Sequence, residues 1–519
     1  MRSEFRDQWV EAAQVEITEL ESRDTWDEVD ISEAGDNKVL PGTWTFKMKR
    51  APDGTIKRFK ARWCCRGDLQ NKEDIGESVY APVADFATVR LFLIWLLHLK
   101  WVSCTMDFTN AFVQAPLSTP VYLHPPRGFR ASKTGRRCLK LKKSHYGLPI
   151  APKKWYHHLV DFLMGSLGFI RSNIDQCLLY REDCMLIIYV DDLGVAARTM
   201  GIIDDLVGRL QKGGFELTKD STFEEYLGIQ FDKNSDGTVL MSQPGLINKI
   251  IMTMGMEMCN PNKTPATKVP LGKDVNGERM SEEWDYRSIV GMLLYVSSNT
   301  RPDIAYAVSQ VARFTHEPRK SHATALKTIV RYLAGTKDKG IIFKPSNDLK
   351  LECYVDADFA GLYGVEDPSD STSAKSRTGY IIFFGNCPTL WKLQLQTEVS
   401  VSTLESEYVA LSQSLRTVIP MQTLLNEVAP RIITSTSFTV AMISTVFEDN
   451  NGALSLATTH KVTSRTKHFN IKYHFFWENV ENGDIVIKRI DTQEQRADIL
   501  TKGLTKDIFE KIRGLIQGW

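Results

Sequence analysis

The chain has 519 residues, of which 43% are apolar and 24% charged, and a formal net charge of +1. That length allows two or more domains of about 100–200 residues each, and the composition is that of a globular protein with ample material for a core, which excludes a disordered or fibrous chain. The near-zero total charge says nothing about nucleic-acid or membrane partners, so local patterning must carry that question.

In chain order, Trp9, Ala13, Ile17 and Leu20 recur at helical steps and predict an N-terminal helix. Next, "TWTFKMKR" and "IKRFKARW" flank Pro52-Asp53-Gly54, a hairpin turn. Between Gly42 and Gly67 lie eight Lys or Arg residues and one acid, Asp53, so this hairpin is basic. A second basic segment runs from Lys133 to Lys143. "LFLIWLL", Leu91 to Leu97, is far too short to span a bilayer and reads as a buried helix or strand. "KWVSCTMDF", 100–108, reads as a buried strand ending near Asp107. "CLLYREDCMLIIYVDDLGVAA" reads as two short strands around a Val190–Leu193 turn, preceded by a third.

Helical stripes follow between Ser281 and Thr336: Tyr286, Ile289, Val290, Leu293 and Leu294, then Leu326, Ile329, Val330 and Leu333. Near 345 the character changes. "LKLECYVDADFAG" and "GYIIFFG" read as strands, a helix is expected from about Ser402, and strands and helices alternate to the end. The nine cysteines include no C-x-x-C pair, and neither a zinc knuckle nor a secretory signal is present; reduced thiols in an intracellular compartment are expected.

Asp191 and Asp192 stand side by side within an apolar run, 84 residues after Asp107. A lone Asp-Asp pair is usually a solvated turn. Here the flanks are buried-strand sequence, a third aspartate ends another such strand, and basic segments lie close in sequence. Carboxylates clustered on strand ends suit hard divalent cations such as Mg²⁺, and two ions about 4 Å apart can activate a hydroxyl and steady a leaving group.

Tyr189-Val190-Asp191-Asp192 matches the Y-[VM]-D-D hairpin of reverse transcriptases. The surrounding words, including "FKARWCCRGDLQ", "YAPVADFATVR", "MDFTNAFVQAPL", "YLGIQF" and "YRSIVGMLLYVSSNTRPDIAYAV", resemble the copia-type class of LTR retrotransposon Pol polyproteins. So do "YVDADFAG", "STLESEYVAL", "FEDNNGAL", "SRTKHFNIKYHF" and "QRADILTKGL" in the second half. The likeness covers nearly the whole chain in the family's order.

The resemblance implies an α+β and α/β multidomain chain: a right-hand polymerase of fingers, palm and thumb, followed by a ribonuclease H-like α/β domain. Residues 1–240 would form fingers and palm, 241–345 a helical thumb or connection, and 346–519 the ribonuclease H-like domain. Asp107, Asp191 and Asp192 would be the metal-binding triad of an RNA-directed DNA polymerase. Lys60, Arg62 and Arg66 would meet the triphosphate. Phe112 would lie under the sugar and exclude a 2′-OH, and Tyr226-Leu227-Gly228 would hold the primer end. Ile150 stands where the family usually has glutamine beside the nucleotide, implying a lost hydrogen bond and a raised nucleotide KM. "Cys64-Cys65" replaces a small aliphatic pair.

In the second half the resemblance implies a ribonuclease H centre of Asp356, Glu407, Asp449 and Asp498, with Glu407 preferred to Glu405 and Asp358 a decoy. Each centre would take two Mg²⁺ ions, with Mn²⁺ as an alternative. The implied partners are an RNA template, a DNA primer strand, deoxynucleoside triphosphates and RNA–DNA hybrids, with no membrane; other Pol and Gag products would accompany it in a cytoplasmic virus-like particle and in the nucleus. All seven carboxylates are intact, which favours an active enzyme over a catalytically weak or domesticated remnant that only binds nucleic acid. A polyprotein fragment, a degraded copy and a domesticated gene are each compatible with the sequence.

Overall fold

The computed structural model describes residues 4–50, 56–76, 78–126, 128, 137–367, 369–433, 440–459 and 473–519. The Pro52-Asp53-Gly54 turn, residues 133–136 of the second basic segment and most of "SRTKHFNIKYHF" lie outside them.

The N-terminal helix spans Arg6–Ser22, with Ala13, Ile17 and Leu20 buried as their spacing predicts. Its buried face meets Trp26, Trp63, Leu139 and Leu148 in a core of its own. Strands Gly42–Arg50 and Ile56–Cys65 form the basic hairpin, in a register that sets Lys47 opposite Lys60 and Thr45 opposite Arg62.

The palm is a six-stranded sheet. At its centre Asp192–Ala197 pairs antiparallel with Cys184–Tyr189 on one side and with Val102–Phe108 on the other. The apolar run at 91–97 lies in the helix Phe86–His98, N-capped by the Asp85 carboxylate on the Ala87 amide at 2.8 Å. A helix apolar on all sides needs cover on all sides. Palm strands cover one side and the strand Cys387–Leu395 of the C-terminal sheet the other. Arg90 on this helix is buried, and its guanidinium donates to the carbonyls of Thr389 (2.8 Å), Ser298 (2.7 Å) and Asn299 (3.0 Å). One core therefore runs from palm into C-terminal domain.

Helices Pro244–Thr253, Tyr286–Asn299, Ala305–Ala312 and Lys320–Ala334 build a second core. Leu294, expected in the apolar stripe, is 46% exposed, because it sits at the stripe's edge beyond Val290 and Leu293. The helical segment is closed at its base by Val239–Ser242 pairing with Ile341–Phe343, so a boundary at 241 falls inside a strand. The C-terminal helix Lys506–Gln517 returns to this second core through Phe509, Ile512 and Ile516.

The C-terminal domain carries a five-stranded sheet, ordered Cys387–Leu395, Arg377–Phe384, Leu349–Asp358, Val440–Glu448, Ile485–Arg489. The first three strands pair antiparallel and the last two join in parallel. The long helix Thr403–Ile432 packs on this sheet. Among the described residues no helix is long and apolar enough to cross a membrane.

Candidate active sites

The register Asp192↔Asp107 puts these two carboxylates directly opposite on adjacent strands, hence on one face. Tyr189 pairs with Asp192, leaving a two-residue turn of Val190 and Asp191. Val190 has φ +57°, a left-handed conformation that a β-branched residue rarely adopts. Such strain costs about 1–3 kcal/mol and persists only where the surroundings enforce it. Three contacts do so. The Trp155 indole donates to the Val190 carbonyl (2.6 Å), the Phe108 amide donates to the Asp191 carbonyl (3.1 Å), and the Tyr226 hydroxyl donates to the Ile187 carbonyl beneath (3.2 Å). Burial, then the neighbouring Asp191, raises the Asp107 pKa; burial, then Asp191 and Asp107, pushes Asp192 up to about 6. The site thus concentrates negative charge that a cation would relieve.

A cavity of about 600 Å³ opens between the N-terminal helix, the basic hairpin and this turn. Lys49, Arg58, Lys60 and Arg62 line one wall, and Asp107 and Asp191 lie on another. Burial and the crowd of Arg62, Lys49 and Arg58 lower the Lys60 pKa. The Arg62 guanidinium stacks over the Tyr146 ring, 4.6 Å from its centroid. Arg66 is not among the lining residues; it pairs with Asp68 at 2.7 Å on the following turn. Phe112 lies behind Tyr146, ring centroids 5.1 Å apart, and Tyr146 itself lines the cavity. Tyr146 was not selected from the sequence, although it opens the "YGLP" word.

Ile150 is 6% exposed and packed with Trp63, Leu123 and Leu148, away from the cavity. The structure therefore places it in this core and not among the residues lining the cavity, as an apolar side chain at a covered site requires. Gly147, at φ +88°, passes so close to Cys65 that a Cβ would overlap its carbonyl, and the Tyr146 carbonyl accepts from the Cys65 amide at 2.7 Å. Tyr226-Leu227-Gly228 forms a tight hairpin, with Leu227 and Gly228 at φ +56° and +70°. Its Leu227 carbonyl accepts from the Tyr295 hydroxyl at 2.8 Å.

In the C-terminal domain Asp356, Glu407 and Asp449 each offer an oxygen, and these lie within 4.8 Å of one another. Asp356 sits on the central strand, Glu407 on the long helix, and Asp449 just past the strand Val440–Glu448. Glu405 points elsewhere: its carboxylate accepts from the Val401 amide (2.7 Å), and its own amide donates to the Ser402 hydroxyl (3.2 Å), a helix cap. Asp358 pairs in register with Arg377, whose charge works against the burial that raises the Asp358 pKa.

Asp498 opens the short helix Asp498–Thr501, next to Lys502, whose ammonium lies 3.0 Å from Asp498 and 3.6 Å from Asp356. The Thr501 hydroxyl donates to the other Asp356 oxygen, and the Thr492 hydroxyl to Asp449 at 2.8 Å. Burial, then Asp356, Glu448 and Asp449, pushes Glu407 up to about 11; burial, then Asp356, takes Asp498 up to about 7 against the pull of Lys502. Glu407 Oε2 is buried without a hydrogen-bond partner. The donor set is all oxygen and crowded, with several carboxylates to the single Lys502 ammonium, which fits a hard divalent cation. Sequence reading missed two charged neighbours of this set: the fully buried Glu448, whose pKa burial raises well above normal, and Lys502.

The fold is that of a right-hand polymerase followed by a ribonuclease H-like α/β domain. Residues 23–268 match the family described as "Reverse transcriptase (RNA-dependent DNA polymerase)". The chain is 30% identical over 514 residues to the Retrovirus-related Pol polyprotein from transposon RE1 of Arabidopsis thaliana, covering 98% of this chain and 34% of that protein. It is 30% identical over 523 residues to the corresponding polyprotein from transposon TNT 1-94 of Nicotiana tabacum, covering 98% and 38%. In fold it is similar to a foamy viral protease-reverse transcriptase solved with an RNA/DNA hybrid, at TM-score 0.50 and 12% identity, over 93% of this chain and 54% of that one. Residues 23–268 thus match the reverse transcriptase family, and nearly the whole chain is similar to one part of these retrotransposon Pol polyproteins. It spans about a third of the length of these relatives.

Proposed function

We propose that this chain is an RNA-directed DNA polymerase that also cleaves RNA in RNA–DNA hybrids, each reaction in its own carboxylate centre. The observation that carries the reading is the pairing of two separate acid clusters, one of them facing a basic cavity. Asp107, Asp191 and Asp192 would hold divalent ions in the palm; Asp356, Glu407, Asp449 and Asp498 would hold them in the C-terminal domain. Bound Mg²⁺ would activate the attacking oxygen and neutralise charge on the leaving group. Lys60 and Arg62 supply positive charge for the triphosphate of an incoming deoxynucleotide. Tyr146, backed by Phe112, presents a flat ring at the cavity wall that restricts room around the sugar. The Tyr226–Gly228 hairpin, pinned under the Val190-Asp191 turn, positions a primer end. RNA template, DNA primer and hybrid are the partners this reading requires.

Primer extension on an RNA template with Mg²⁺, run beside cleavage of a labelled hybrid, tests it. Both activities in the full chain are expected. Retained nucleic-acid binding with neither activity overturns the reading in favour of a binding-only remnant.

A further inference from the structure

The C-terminal centre already contains a cation of its own. Asp498 and Lys502 are four residues apart across one helical turn, so the chain places them together by local geometry. The ammonium sits between Asp498, at 3.0 Å, and Asp356, at 3.6 Å. Asp356 also lies with Glu407 and Asp449, ligand oxygens within 4.8 Å of one another, and the buried Glu407 Oε2 has no hydrogen-bond partner. The ammonium thus ion-pairs with Asp356 and Asp498, while oxygens of Asp356, Glu407 and Asp449 crowd together beside it.

We propose that Lys502 occupies the second cation position of this centre, so that one divalent ion binds tightly at Asp356, Glu407 and Asp449, and a second enters at Asp356 and Asp498 only by displacing the ammonium. The inference rests on the metal-dependent reading of this centre given above. An ammonium and a divalent ion compete for the same carboxylate oxygens, and like charges at contact distance repel strongly where water is scarce. The Lys502 side chain is 41% exposed, so it has a route out toward solvent while the carboxylates stay fixed. Lys502 is in this sense a positioning residue. It neutralises Asp356 and Asp498 before the second ion arrives and sets the metal concentration at which that ion binds.

The test uses the full chain with the palm silenced by Asp107→Asn and Asp191→Asn. Mn²⁺ is titrated and free Mn²⁺ read by electron paramagnetic resonance, sites in the C-terminal centre being counted as the difference from a further Asp356→Asn variant. In the parent, one tight ion and a second at least about tenfold weaker are expected. Lys502→Met should tighten the second ion at least about tenfold and leave the first within about threefold. Lys502→Arg, which keeps the charge, should keep the second ion weak. Equal second-ion affinity in the parent and Lys502→Met overturns the proposal, and so does tight binding in Lys502→Arg, while a retained first ion leaves the metal-dependent reading standing. No Asp356-dependent Mn²⁺ in any variant overturns both.

Discussion

Asp303→Asn probes how the C-terminal centre is held in place. Arg301 and Asp303 are both fully buried. The guanidinium donates to Asp303 through Nε (3.0 Å) and Nη2 (2.8 Å), and to the Thr336 carbonyl (2.9 Å) and hydroxyl (2.8 Å). The Tyr332 hydroxyl donates to Asp303 at 2.6 Å, and Arg513 of the C-terminal helix donates to Tyr332 at 3.2 Å. The Trp519 ring lies 5.3 Å from the Arg301 guanidinium, and its indole donates to the Gly340 carbonyl at 2.7 Å. This network ties the helical segment to the helix that follows Asp498. Asn conserves the shape but leaves a buried guanidinium without a counter-charge, which costs about 3–5 kcal/mol. At about 1.4 kcal/mol per tenfold, local opening should rise about 10²- to 10⁴-fold. Hydrogen exchange read on peptides covering 286–334 and 498–519 should accelerate in both. Arg301→Met with Asp303→Leu, which removes both charges, should restore most of the protection. An acceleration under about tenfold, one that spares 498–519, or a double variant no better than the single one refutes the coupling.

Asp191→Asn should abolish primer extension while gel-shift affinity changes little, because affinity comes mainly from Lys and Arg on phosphate; substantial residual synthesis refutes its role as a metal ligand. Glu407→Gln should remove hybrid cleavage and leave polymerisation, whereas Glu405→Gln, altering a helix cap away from the acid cluster, should leave both; the reverse pattern in the cleavage assay would show the glutamates misassigned. Ile150→Gln should bury an amide without partners and cost about 1–3 kcal/mol in denaturant unfolding. The nucleotide KM should stay unchanged in the same variant, and a clear fall would place Ile150 at the nucleotide after all.

Much of this protein is decided locally. The Arg6–Ser22 helix follows from its apolar spacing, and the palm hairpin from two apolar strands around a short turn. Acids at the ends of apolar strands are legible in the sequence, while the register Asp192↔Asp107 that puts two of them on one face is a tertiary pairing. The Asp498–Lys502 pair is likewise one helical turn, although nothing in that spacing tells that Asp356 shares the ammonium. What the tertiary structure decided are choices between residues with equal local claims. Glu405 and Glu407 lie in the same helix; Glu405 caps its start by local spacing from Ser402, but only the position of the sheet brings Glu407 into the acid cluster. Phe112 and Tyr146 are both aromatics near the palm, and their stacking order sets which one meets the cavity. Ile150 holds a family position but is drawn into the core with Trp63 and Leu148. The apolar run at 91–97 left helix and strand open, and two-sided burial between palm and C-terminal sheet accounts for its composition. The physical reason is common to all four. Backbone periodicity is a short-range property of a few neighbouring residues, whereas convergence on a site depends on packing between segments tens to hundreds of residues apart, whose closure no local pattern encodes.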